Sequence, residues 1–315
     1  MQILSKTNIN FLKWRWHAIA LSVVVIGAGL AQIVSQGGPR LSVDFSGGTA
    51  IVLRFDQPIS EDAVRDAVAS LPGDKTVQRR GEEADNQILV RLPQMVEGGE
   101  GQPIDNAANE VQRLVREANI GAFIVDSTEI VGPVIGRDLQ QKGIYATLTA
   151  LAGIMIYIGL RFRFTFAAGA IVATLHDVFV TLVFLNWFGY ELSLNVIAAL
   201  LTMTGYSVND TIVIFDRVRE NARMMRKDAL EPLVNTSVNQ TLSRTVITAG
   251  TTFLAVAGLY FYGGDVLEGF AFTMLVGIVS GTYSTVFIAA AIAIILTKPA
   301  PTTTSAGKAR SRAKS

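Results

Sequence analysis

The sequence predicts a polytopic α-helical membrane protein with six transmembrane helices and a ferredoxin-like α+β domain, outside the membrane, between the first two spans. Half of the 315 residues are hydrophobic and only 17% are charged, a balance unusual for a soluble protein of this length. Six stretches approach the ~20 apolar residues that a membrane-spanning helix needs. Between the first two stretches, local patterns follow in the order β-α-β-β-α-β, which is that of the ferredoxin-like unit.

The predicted spans are all long apolar runs, and they cover residues 16–35, 143–160, 166–188, 192–215, 245–262 and 270–296. The first span follows a basic start, so a cleaved signal peptide is an alternative interpretation. Its apolar core is longer than the ~7–15 residues of a signal-peptide core, which favours a retained span.

The lysine- and arginine-rich segments that flank the predicted spans fall on one side of the bundle. The short loops 189–191 and 263–269 contain neither residue type, whereas the segments on the opposite side are basic. The positive-inside rule then places residues 1–15 and 297–315 in the cytoplasm and residues 36–142 outside it. The 297–315 tail is rich in Thr, Ser, Lys and Arg, which predicts disorder close to anionic lipid.

The 36–142 domain contains the predicted α+β unit, with 17 acidic and 11 basic residues. Its predicted strands are Thr49–Phe55, Lys75–Arg80, Gln87–Leu92 and Phe123–Val131, and its predicted helices are Glu61–Leu71, capped by Ser60, and Asn106–Ala118. The acidic balance argues against nucleic-acid binding. No cysteine, nucleotide-binding loop or catalytic constellation occurs in the chain, so we expect no enzyme activity, cofactor or metal. We expect this domain to have a binding role or to transmit force.

Asp210 is an acidic residue inside the predicted fourth span. Ser207, Asp210, Thr211 and Ile214 recur at helical spacing, so we expect the polar members to share one face. Asp210 lies seven residues before Arg217, or ~10 Å along a helix, inside the bilayer and toward its cytoplasmic half. Two interpretations are open: a carboxyl that packs helices together, or a proton carrier poised between desolvation and a nearby cation.

Arg244 comes directly before the predicted fifth span, within a stripe of small polar residues. Thr241, Arg244, Thr248 and Thr251 recur in steps of three and four. Arg244 is either a positive-inside residue that reaches the interface, or the countercharge to Asp210 across a helix contact.

Two further features lie inside predicted spans. His176 and Asp177 are neighbours in the third span, and they point ~100° apart, so only one of them can face a given partner. A packing role and a proton-relay role are both open for them. Gly277 and Gly281 form a GxxxG pattern in the sixth span, which is typical of close helix packing.

The run GYSVNDTIVIFDR, residues 205–217, resembles the fourth-span signature of the SecD/SecF family of bacterial protein-export membrane proteins, in its SecF-type members. Other matching runs are DFSGGT at 44–49, GPVIG at 132–136, NQT at 239–241 with Arg244-Thr245, and GTYS at 281–284. The resemblance covers nearly the whole chain except the tail.

The resemblance implies an inner-membrane protein of the RND superfamily, in which proton flow through the spans moves external domains. It implies SecD as a separate partner chain, the SecYEG channel and YajC as further partners, and unfolded exported polypeptide, protons and membrane lipid as contacts. It identifies Asp210 and Arg244 as proton-path residues. We predict that the path also includes Ser207, Asn209, Thr211, Thr241, Thr248, His176 and Asp177, and that Gly205, Gly277 and Gly281 serve helix packing.

We therefore expect an accessory subunit of the Sec translocase that works with SecD and uses the proton motive force to assist polypeptide export. One rival is an RND-type proton-coupled exporter of lipids or small molecules, although the small external domain leaves little room for a substrate path. The other rival is a non-transporting assembly subunit, whose intramembrane polar groups only pack.

Overall fold

The computed structural model describes residues 7–71, 75–80, 85–92, 105–224 and 229–297. Most of the predicted tail 297–315 therefore lies outside the described residues. Six helices in the described part are long and apolar enough to cross a membrane, as predicted: Phe11–Ser35, Ile135–Arg161, Phe164–Trp187, Leu194–Met224, Leu230–Tyr262 and Val266–Leu296.

A short 3₁₀ turn, Phe11–Trp14, leads into the first span. In chain order the elements are α1 (Arg15–Ser35), α2 (Val43–Ser46), β1 (Gly48–Phe55), α3 (Glu61–Ala67), β2 (Thr76–Arg80), β3 (Gln87–Leu92), α4 (Asp105–Glu117), β4 (Phe123–Val131), α5 (Pro133–Arg161), α6 (Phe164–Trp187), α7 (Leu194–Met224), α8 (Leu230–Tyr262), α9 (Asp265–Ser284), a π-helical turn (Thr285–Ala289) and α10 (Ala290–Leu296). The elements α2 to β4 form the head domain, and the helices α1 and α5 to α10 form the membrane bundle.

The head domain has the predicted ferredoxin-like order. Its four strands form an antiparallel sheet in the order β2-β3-β1-β4. Side chains alternate along β1, so Ile51 and Leu53 pack in the core that includes residues of α3 and α4, whereas Ala50 and Val52 pack with Val43 of α2 on the other side. The second face of the sheet therefore lies opposite α3 and α4, and it packs against α2.

Three helices, α5, α7 and α8, extend furthest beyond the predicted spans, and α9 also begins before its predicted span, at Asp265. The helix α5 already begins at Pro133, a residue suited to the first helical turn, so residues 133–142 of the predicted external domain are continuous with the second span. The helix α7 continues past its apolar part, and α8 begins before its own. Polar side chains join the two helices in these extensions. Asn221 donates to Ser237 at 2.8 Å and to Gln240 at 2.9 Å. A hydropathy pattern detects only the apolar part of such helices.

The two glycines of the GxxxG pattern bring α9 against α7. A β-carbon at Gly277 would lie 2.8 Å from Cβ of Met203, and one at Gly281 would lie 2.8 Å from Cβ of Ser207. The predicted packing role of these two residues agrees with the structure. Gly205 differs, since no heavy atom of the described chain lies within 4 Å of its β-carbon position, apart from its own chain neighbours and helix backbone.

Replacing Gly281 by alanine tests the α7–α9 contact. The added methyl group meets Cβ of Ser207, which cannot rotate away, so the helices must separate. We expect the free energy of unfolding to fall by about 1–3 kcal/mol. Gly153→Ala is the matched control, because among the described residues no heavy atom outside its own stretch of helix lies within 4 Å of its β-carbon position, and alanine favours a helix over glycine by about 1 kcal/mol. Unfolding of the two variants in detergent should separate them, and equal stability would contradict the close packing.

Candidate functional site

Asp210 lies on α7, where it faces α8. Its Oδ1 accepts a hydrogen bond from the hydroxyl of Thr245 at 2.7 Å. Its Oδ2 is buried and accepts no hydrogen bond from any residue in the described ranges. A buried carboxylate oxygen without a donor is costly, and protonation would remove its charge. One oxygen of the carboxyl thus has a hydrogen-bond donor, and the other, although buried, has none among the described residues; we call this second oxygen open.

Arg244 lies one residue before Thr245 on α8, but its side chain points elsewhere. Arg244 is exposed, and within the described part of the chain its side chain makes no hydrogen bond or ion pair. The helix contact that we expected between α7 and α8 exists, but Thr245 makes it. In this structure Arg244 is therefore a neighbour of the Asp210 site and not its ion-pair partner.

Asp177 is a second acidic residue in the bundle, and it is 0% exposed. Its Oδ2 accepts hydrogen bonds from Ser207 of α7 at 2.6 Å and from Ser284 of α9 at 2.8 Å. Its Oδ1 accepts one from Ser280 of α9 at 2.7 Å and lies 3.1 Å from Nδ1 of His176. Hydroxyl donors from two neighbouring helices thus satisfy both oxygens, in contrast to Asp210.

His176 extends this hydrogen-bonded cluster to the first span. Its Nε2 lies 2.9 Å from the hydroxyl of Ser22 on α1, and that hydroxyl lies 3.2 Å from the hydroxyl of Tyr283. Tyr283 donates to the carbonyl of Ala18 at 2.8 Å. Asp177 contacts α7 and α9, and His176 contacts α1 and also stacks on Tyr283 of α9, with 5.9 Å between the ring centroids. The two neighbours thus differ in their contacts with α7 and α1 but share α9.

The polar side chains of α7 do not share one face, which corrects our expectation for this helix. Ser207 reaches Asp177, and the hydroxyl of Thr211 lies 3.0 Å from that of Thr285 in the π-helical turn. Asp210 instead reaches α8. Neighbours on a helix point ~100° apart, so Asp210 and Thr211 meet different helices.

The remaining predicted residues lie around Asp210 without contacting it. Thr241 is buried and donates to carbonyls of its own helix, at Ser237 and Val238. Thr248 also donates within α8, to the carbonyl of Arg244 at 2.8 Å. Asn209 is exposed, as is Gly205. Gly205, Asn209 and Thr248 are therefore on an exposed side of α7 and α8, whereas Thr241 is not.

Sequence reasoning missed several members of the two clusters. Thr245 was available as the residue one turn after Thr241, within the run that carries the family resemblance. Ser280 and Ser284 are four residues apart and so share a face of the last span. Ser22 offered no signal, since a lone serine in an apolar span is ordinary.

Two family models match the chain. Residues 110–299 match the C-terminal region of the protein export membrane proteins SecD/SecF, and residues 35–59 match the SecD/SecF GG motif. The first match includes every intramembrane residue discussed above except Ser22 and Ala18, and the second includes α2 and β1.

Proteins similar over nearly the full length are named protein translocase subunit SecF. The one from Thermodesulfovibrio yellowstonii is 40% identical over 95% of this chain and 98% of its own length. The one from Escherichia coli O157:H7 is 38% identical, with coverages of 91% and 87%. The crystal structure of SecDF from Thermus thermophilus, described as a translocon-associated membrane protein, matches with a TM-score of 0.81 and 34% identity. That match covers 94% of this chain but only 39% of the SecDF chain.

Removing the Asp177 carboxylate tests whether its hydroxyl cluster holds the bundle together. Asp177→Ala leaves the hydroxyls of Ser207 and Ser280 without this acceptor, while that of Ser284 keeps the carbonyl of Gly281. At about 1–3 kcal/mol for each unsatisfied buried donor, we expect a loss of about 2–6 kcal/mol in the free energy of unfolding. Asp138→Ala is the control, because that acid forms an exposed pair with Lys142, and such a pair contributes less than about 1 kcal/mol. Unfolding in detergent measures both. An Asp177→Ala protein as stable as the control would show that the cluster is not structural.

Proposed function

Because this chain belongs to the SecD/SecF family of protein-export membrane proteins, we propose that it is an accessory subunit of the Sec translocase that couples proton movement to polypeptide export. The observation that carries the proton assignment is the open, buried Oδ2 of Asp210. We further propose that the protein lies in the bacterial inner membrane with both termini in the cytoplasm. The alternation of basic and base-free segments supports that orientation.

Proton binding at Asp210 changes the contact between α7 and α8. In the ionised state, Thr245 donates to a charged oxygen, and such a hydrogen bond contributes about 1.5–3 kcal/mol against about 0.5–1.5 kcal/mol for a neutral one. A proton that crosses the membrane potential supplies ~2.3 kcal/mol per 100 mV. The two energies are of the same size, so one proton is enough to bias this contact.

Arg244 takes the role of the resetting cation in this proposal. It lies next to Thr245 on α8, and it is free of other polar partners within the described ranges. A rotation of its long side chain toward Asp210 would favour the ionised carboxyl and so release the proton. The countercharge role thus belongs to a second conformation.

The exposed side of α7 and α8 supports a partner within the membrane. The positions Gly205, Asn209, Arg244 and Thr248 are exposed on α7 and α8, the two helices that meet at Asp210, and α8 is mostly unburied along its apolar part. We propose that a separate SecD chain covers this side and encloses the proton site. Family membership also supports further proposed partners, which are the SecYEG channel, YajC, the exported polypeptide and membrane lipid.

His176 and Asp177 are proposed as a branch of the same pathway. Ser207 donates to Asp177 and lies one helical turn before Asp210, so a change at one carboxyl is passed along α7 to the other. The alternative, in which this cluster only packs the helices, predicts a loss of protein and not of proton movement when Asp177 is changed.

Asp210→Asn tests the proposal directly. The amide keeps the shape and can still accept from Thr245, but it binds no proton. We expect proton conductance of the reconstituted complex with SecD, and proton-driven export, to fall to background. Thr245→Val should lower both roughly tenfold, since one hydrogen bond to a charged group is worth about 1.5 kcal/mol or more. Thr251→Val is its control, because Thr251 is exposed and donates to carbonyls of its own helix.

Two results would contradict the proposal. Normal conductance and export with Asp210→Asn would remove the proton assignment. A reduced amount of intact complex whose remaining molecules work normally would instead favour the non-transporting assembly subunit. Efflux of a lipid or small molecule that depends on Asp210 would favour the exporter.

A further inference from the structure

A short segment that follows the first span and includes α2 joins the sheet of the head domain to the bundle. We call this segment, residues 40–48, the joint. Leu41 pairs in parallel with Leu192 in the loop between α6 and α7. The amide of Ser42 donates to the carbonyl of Leu192 at 2.9 Å, and the amide of Leu192 donates to the carbonyl of Arg40 at 2.7 Å. The joint and this loop are therefore held together by backbone hydrogen bonds.

Asp44 of the joint caps the helix that carries Asp210. Its Oδ2 accepts a hydrogen bond from the amide of Leu194, the first residue of α7, at 2.9 Å. A carboxylate at this position satisfies an amide that the helix itself leaves free, and it interacts favourably with the helix dipole. The two residues are 150 positions apart in sequence, so this cap connects two parts of the fold.

The two glycines that follow Asp44 allow the joint to be compact. Gly47 has a φ of 70°, which favours glycine, and it turns the chain from α2 into β1. A β-carbon at Gly136 of α5 would lie 3.1 Å from the amide nitrogen of Gly47. The start of the second span thus lies directly against the joint.

A second contact ties the same loop to the sheet. Arg91 of β3 forms an ion pair with Glu191, and both side chains are less than one-fifth exposed. Arg91 also donates to the carbonyl of Leu41 at 2.8 Å, and Gln78 of β2 donates to Glu191 at 3.2 Å. Burial raises the pKa of the Glu191 carboxyl, and Arg91 opposes that rise. Loss of Arg91 would leave a buried acid without its main compensation.

We propose that the joint is the element that transmits movement of α7 to the head domain, with Asp44 as the side chain of the joint that contacts the first residue of α7. This inference rests on the proposed function. The helix α7 is continuous from Leu194 to Asp210, ~24 Å at 1.5 Å per residue, and a helix transmits displacement along its axis. At Leu194 the displacement reaches Asp44, whose segment continues into β1, the strand paired with both β3 and β4.

The experiment separates transmission from proton movement. The chain has no cysteine, so spin labels at positions 117 of α4 and 261 of α8 report the distance between head and bundle in the reconstituted complex with SecD. The variants are Asp44→Ala, which removes the hydrogen bond from the joint to α7 but leaves the Ser193 hydroxyl that accepts from the amide of Val196 at 3.2 Å, and Asp44→Asn, which can still accept the amide hydrogen bond. Asp62→Ala is the control, an exposed acid of α3 whose partner is Arg65 on the same helix.

We expect Asp44→Ala to broaden the distance distribution and to reduce proton-driven export to the level of Asp210→Asn, while proton conductance is retained. Asp44→Asn should keep most of the export activity. Arg91→Ala should broaden the distance distribution, as Asp44→Ala does. Asp62→Ala should match the wild type.

Two results would overturn the inference. The first is an unchanged distance distribution with normal export in Asp44→Ala, and the second is a loss of conductance together with export in that variant. If Asp210→Asn has no effect, the proposed function fails, and the distance distributions still decide whether Asp44 holds the head to α7.

Discussion

A carboxylate buried among apolar helices needs hydrogen-bond donors or must give up its charge, and this constraint organises the bundle. At Asp177 the donors are hydroxyls from α7 and α9, and the close approach of those helices at Gly277 and Gly281 brings them into reach. At Asp210 only one oxygen has a donor. The same helix, α7, thus contributes to a closed carboxyl site and carries an open one.

The two ends of α7 connect the Asp210 site to other parts of the structure. One end of the helix continues past the apolar region and is joined to α8 by Asn221, and the other end is capped by Asp44 from the joint. A change in charge at Asp210 therefore acts on a rigid element that is attached to the head at its far end. In the mechanism that we propose, the head needs no catalytic group, because its sheet would receive the displacement through β1.

Much of the fold could be predicted from the sequence, because hydropathy and period-2 or helical spacing report burial directly. The six spans and the strand order of the head follow from such patterns. Spacing fixes where Asp210 lies around its own helix, but not how α8 is rotated against it, so Thr245 was not distinguished from Arg244. The Asp44 cap was equally out of reach, since it joins residues that only the tertiary fold brings together. The ends of α7 and α8 depend on polar contacts that hydropathy does not detect.

The central claim is that Asp210 binds and releases a proton in the folded protein. Infrared difference spectroscopy of the reconstituted complex measures this directly, because a protonated carboxyl has a carbonyl stretch that a carboxylate lacks. The chain has 26 acidic residues that contribute to this band, so the wild-type titration is compared with that of each variant. We predict that one component of the band titrates in the wild type, persists in Thr251→Val and is missing from Asp210→Asn. A titrating band of unchanged size in Asp210→Asn would contradict the account.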